Sequence, residues 1–176
     1  MTRRAGWSVA IVALIVAAGV WWALGRSSGA GGRVPQGMAS IQWRGARRGS
    51  ALIPAKVSWC PVNRTGVIEA ISGDTGMAVV VYEENAITSG PHAVVPPVPA
   101  AAAPRPSASV VMRWPADTAV LLGFTALSGQ VTLQSTADRL SGTVQAKMRG
   151  NLVGDSLTIT GRFVDLPVVA VAVGCP

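Results

Sequence analysis

The chain is poor in several kinds of residue. Among its 176 residues are one histidine, two cysteines, one tyrosine and two phenylalanines, and no acid precedes Glu69. These shortages narrow the chemistry. His92 is the lone histidine, which excludes an ordinary His-based zinc site and leaves any Ser-His-Asp arrangement a single candidate base. No Cys-x-x-Cys occurs, so thioredoxin-type redox chemistry is absent. No Gly-x-Ser-x-Gly elbow is present. The glycines of Gly29-Ala30-Gly31-Gly32 neither follow a strand nor open a helix, as a phosphate-cradling loop requires. Glu83-Glu84 is the only adjacent acid pair. On a strand the two point to opposite faces and form no acid/base couple. The expectation is a non-enzymatic protein with no catalytic residues, no cofactor and no metal.

What the chain does have begins with an apolar run. Ala5 to Leu24 carries no charge, and Ser8 is its only polar side chain. At about 1.5 Å per residue such a helix is roughly 30 Å long, the thickness of a bilayer's hydrocarbon core. Trp7 stands near one end and Trp21-Trp22 at the other, the placement of indoles at the headgroup boundary. Residues 1–4 read as a short tail, 5–24 as a transmembrane helix that stays on the chain, and 25–38 as a flexible linker opened by Gly-Arg-Ser-Ser-Gly-Ala-Gly-Gly. Ala13, Ala17, Ala18 and Gly19 offer a small-residue surface for packing on a partner's helices.

Charge is unevenly distributed. Residues 1–64 hold nine Lys/Arg and no acid, whereas residues 65–176 hold six basic and eight acidic residues. The basic set nearest the span includes Arg26, Arg33, Arg44, Arg47 and Arg48, with Trp43 beside them. It reads as a contact with a partner subunit or with anionic headgroups, which attract basic residues by about 1 kcal/mol each. No nucleic-acid recognition motif accompanies it, so nucleic acid is not an expected partner. The positive-inside tally is nearly tied. Cys60 and Cys175 break the tie: an even cysteine pair suits a disulfide in an oxidising compartment. The expected place is a bacterial inner membrane, with the amino end cytoplasmic and the folded part periplasmic.

From residue 39 to 176 the pattern is β-rich. Val131 and Leu133 alternate with polar neighbours, as do Val144, Ala146 and Met148, and then Leu157 and Ile159. That period of two marks strands with one buried face. Further runs at 39–44, 51–59, 66–71, 77–83, 110–114, 119–127 and 166–173 bring the expected total to nine or ten strands. With no amphipathic helix, the fold class is mostly β: a transmembrane helix followed by an antiparallel β-sandwich or barrel-like domain. Residues 91–106 hold six of the twelve prolines and read as an extended, polyproline-like loop. Trp43, Trp59 and Trp114 read most simply as core, with docking at the interface or on a partner the other reading of Trp43. The function expected is a single-span accessory subunit stabilising a larger membrane complex, such as a respiratory or photosynthetic assembly. The alternative is an anchored β-domain that binds a lipid, a glycan or another small ligand.

Overall fold

The computed structural model describes residues 33–45, 47–115, 121–136, 138–152 and 154–171. The chain divides into two units, Met1–Arg33 and Val34–Pro176. The expected transmembrane helix over 5–24, its Trp7, Trp21 and Trp22, the linker residue Arg26, and Cys175 all lie outside the described residues. Among the described residues no helix is long and apolar enough to cross a membrane.

The second unit is mostly β, with one large mixed sheet of nine strands: β1 Met38–Gly45, β2 Gly49–Cys60, β3 Thr65–Ser72, β4 Thr75–Tyr82, β5 Gly90–Val94, β6 Ser107–Pro115, β7 Leu121–Ser135, β8 Arg139–Gly150 and β9 Ser156–Ala170. The strand order is β1-β2-β3-β4-β6-β5-β7-β8-β9, and β9 pairs back with β1 to close a barrel. Closure removes the two free edge strands of an open sheet, while β2 over 49–54 pairs with β1 alone. Two pairings are parallel. β5 runs beside the start of β6, and the tail of β9 runs beside β2, with Val57 opposite Val168. The second follows from β1 beginning at Met38, level with Pro54. Below that level β2 and β9 close directly on each other.

The barrel interior is filled by the apolar partners of the period-two pattern. Ile41, Val57, Ile68, Val79, Val110, Leu122, Val131, Ile159 and Phe163 are buried in one contiguous core. A Val, Leu, Ile or Phe side chain moved from water into such a core contributes about 1.5–3 kcal/mol.

Three departures from the sequence pattern have physical reasons. Pro54 does not break β2. Ala55 N–H donates to Gly37, so the neighbouring proline nitrogen turns toward β3, and pairing with β3 starts only at Ala55; no ladder bond is lost. Over the described residues the expected strands at 119–127 and 129–135 are one strand, β7, which begins at Leu121 and continues through a bulge between Ala126 and Ser128. Gly129, at φ 148°, has its α-carbon pressed against the backbone of Gln145 and Ala146, where a Cβ would not fit. Likewise 157–163 and the start of the run at 166–173 join as β9, which ends at Ala170, with Asp165 in the left-handed region at φ 55°.

The linker and the proline-rich segment differ from expectation as well. Val34 is buried, and Gly37 bonds to Val164 and Ala55, so the barrel begins before residue 39. Residues 91–106 are not wholly an extended loop. Pro91–Val94 belong to β5, Ala100–Ala102 form one 3-10 turn, and Val95 N–H donates to Ala108.

Candidate functional site

The register gives the barrel two unlike ends. The β1–β2, β3–β4, β6–β7 and β8–β9 connections lie at one end; the β2–β3, β4–β5 and β7–β8 connections lie at the other.

The first end is closed by rings. Trp43 on β1 stacks on Trp114 of β6 with centroids 5.3 Å apart, and Trp114 stacks on Phe124 of β7 at 4.5 Å and an interplanar angle of 5°. Glycines make room for them. A Cβ at Gly49 would lie 2.3 Å from the Trp43 ring, and one at Gly150 would lie 3.0 Å from Phe124. Trp43 is thus 9% exposed and part of the core. Its indole is not on the surface, where a contact with a partner or headgroup was expected of it.

Around these rings stands a rim of cations. Arg44 and Lys147 lie on either side of Thr158, on three adjacent strands. Arg47 and Arg48 are exposed between β1 and β2. Arg113 sits near the end of β6 and Arg149 near the end of β8. The described acids at this end are Asp74 and Asp155, and none of the six cations makes an ion pair among the described residues. Arg44, Arg47 and Arg48 were expected as contact residues from the sequence. Arg113, Lys147 and Arg149 were missed, because they belong to the half of the chain that is acidic on balance. Their signal was present in the alternation, which places all three on the wet faces of strands that end at the same rim. Arg33 is exposed. The rim is about 20 Å along β1 from Met38, at roughly 3.3 Å per residue.

The other end is closed by polar groups. Glu83 and His92 are buried, with Nε2 to Oε1 at 2.7 Å. The second ring nitrogen, Nδ1, lies 3.1 Å from the carbonyl of Gly90. Both ring nitrogens face oxygens, so neither is left open. Thr88 donates its backbone N–H and its hydroxyl to the same carboxylate, at 2.9 and 3.0 Å. Glu84 turns outward to Arg64 at 3.0 Å, so the adjacent acids do point to opposite faces. Nearby, Arg105 gives its guanidinium N–H groups to the carbonyls of Asn63 at 3.1 Å, Arg64 at 2.7 Å, Ala100 at 2.8 Å and Glu83. Tyr82 donates to the Val98 carbonyl at 3.1 Å, and Ser109 donates to that of Val95 at 3.1 Å. These bonds hold the proline-rich segment against the barrel. Neither Arg105 nor the Glu83–His92 pair was found from the sequence: the partners are 5 to 42 residues apart, and no local pattern links them.

Chemically, the two ends differ in what they leave free. His92 has no ring nitrogen available to activate a nucleophile. Among the described residues no three His, Cys, Asp or Glu side chains are grouped to hold a metal ion. Cys60, buried at the end of β2, is disulfide-bonded. The cations of the aromatic end, by contrast, keep their charge open to solvent or to a neighbour.

The fold and its ends define a β-barrel packed through its interior, with an aromatic plug, a cationic rim and a polar cap. Compared with protein-family models, with curated proteins and with solved structures, the chain finds no match.

Proposed function

We propose that this chain is a non-catalytic accessory subunit of a larger membrane complex. A helix over residues 5–24 anchors it in a bacterial inner membrane, and the barrel stands on the periplasmic side. The cationic rim docks against an acidic face of a partner subunit or against anionic headgroups. The observation that carries this reading is the rim itself. Among the described residues, six cations share one end of the barrel with two acids and make no ion pair, whereas Lys56–Glu69, Arg64–Glu84 and Arg139–Asp165 pair at 2.8 to 3.6 Å elsewhere. Clustered like charges repel and lower the stability of the fold. A neighbour that brings carboxylates or phosphates relieves that repulsion and forms charge-assisted hydrogen bonds. The disulfide at Cys60 supports an oxidising compartment. Cys175 is the only other cysteine in the chain and is its proposed partner.

The alternative, a ligand held within the barrel, has less support, because Ile41, Val79, Val110 and Phe163 occupy the interior. The test is Arg44→Glu, Arg47→Glu and Arg48→Glu together in the full chain, extracted from its membrane in mild detergent. The unaltered protein is expected to run within a large assembly and the variant to run apart from it. Equal sizes for the two would reject the reading.

A further inference from the structure

The outer wall of the barrel carries a groove of about 630 Å³ across β3, β4, β6, β7 and β8, within the size range of small-molecule sites. Its floor is apolar. Val111 is 37% exposed and Ile71 44% exposed, with Ala78 opposite Val111 on the neighbouring strand. Its head is basic. Arg113 lies between Gly76 on β4 and Gly123 on β7, so neither residue directly opposite it carries a side chain. Arg149 lies opposite Thr125, across β7 from Arg113. Arg149 is level with Val111, two residues along from Arg113, so at about 4.8 Å per strand and 3.3 Å per residue the two α-carbons are roughly 12 Å apart. Gly123 is the low point between them: a Cβ there would meet nothing within 4 Å. Asn151 frames the far side, bonding to Gly123 through its side-chain oxygen at 3.2 Å and its backbone N–H at 2.9 Å.

We infer that this groove holds an acyl chain bearing one anionic head, either a carboxylate or a phosphate. The chain lies along Ile71, Ala78 and Val111, and the head is taken by Arg113 and Arg149. An apolar trough alone favours any hydrocarbon. Two guanidinium groups at its end, neither in an ion pair among the described residues, select an anion, since Arg forms paired N–H···O bonds to carboxylate and phosphate alike. The inference rests on the groove alone and stands whether or not the chain belongs to a complex.

The test uses the full chain in phosphatidylcholine nanodiscs with three diazirine-bearing probes: palmitic acid, the matching alkyl phosphate and the matching alcohol. Cross-linked residues are mapped by mass spectrometry. The anionic probes are expected to label β4, β6 and β7 around Val111. The probe that labels more strongly tells a free fatty acid from a phospholipid. Gly123→Leu fills the groove where space is open. Arg113→Ser with Arg149→Ser removes the head contacts and does not depend on how the leucine variant folds. Each is expected to lower labelling roughly tenfold or more, the scale of one lost hydrogen bond to a charged group. Equal labelling by the alcohol, or labelling unchanged in both variants, overturns the inference.

Discussion

Where β1 turns into β2, three stacked rings close the barrel beneath six cations that form no ion pair among the described residues. Where β4 turns into β5, a buried carboxylate and imidazole close it, and an arginine there gives its N–H groups to four backbone carbonyls. The first end leaves its charge outside and fills its interior with apolar area. The second takes polar groups inside and matches them. Buried polar groups must find partners or cost the fold free energy, so the polar end is constrained by folding. The cationic rim answers no such need, and the proposed role in association rests on that difference.

That contrast predicts a ranking of effects, read by urea denaturation of the full chain in detergent. Glu83→Leu should be the most damaging, at about 3–5 kcal/mol, because it leaves the buried imidazole and the N–H and hydroxyl of Thr88 without their shared partner, at about 1–3 kcal/mol for each orphaned group. Glu83→Leu with His92→Leu should recover part of that loss, since both polar partners are then gone. A double variant no better than the single would show that the pair is not a unit. Trp114→Ala at the aromatic end should cost about 3 kcal/mol, the lower part of the range for aromatic truncation. Its ring lies near the barrel mouth and is 6% exposed, where neighbours can close in. A cost far above that of Glu83→Leu would reverse the contrast. Arg44→Glu, Arg47→Glu and Arg48→Glu, one at a time, should change stability by less than about 0.5 kcal/mol, as solvated surface positions do. A large loss from any of them would place the rim among the elements that hold the fold.

Much of the barrel wall is legible in the sequence alone. Alternation along Thr143–Arg149 and Leu157–Phe163 marks β8 and β9, and the outward face of β8 is read correctly down to Lys147 and Arg149. What misleads is punctuation. Glycine and proline usually end strands, yet Gly129 and Pro54 lie within β7 and β2. One permits a close backbone approach, and the other falls where no ladder bond is asked of it. β5 is hidden for the same reason, with Pro91 as its second residue. Trp43 looks like a surface residue because arginines follow it in the chain. Its strand parity turns it inward against Trp114 instead.

By itself the sequence determined the class of the folded part, because a period of two is a local property that any pleated strand must show. It also determined the lack of familiar catalytic and metal motifs, and the uneven charge along the chain. Only the tertiary structure decided which charges share a surface. Arg44, Arg113 and Arg149 are far apart in sequence and meet at one rim, because barrel closure brings the ends of β1, β6 and β8 together. Only it decided that Glu83 and His92 are paired. A hydrogen bond at 2.7 Å depends on register across strands, which no window of neighbouring residues contains.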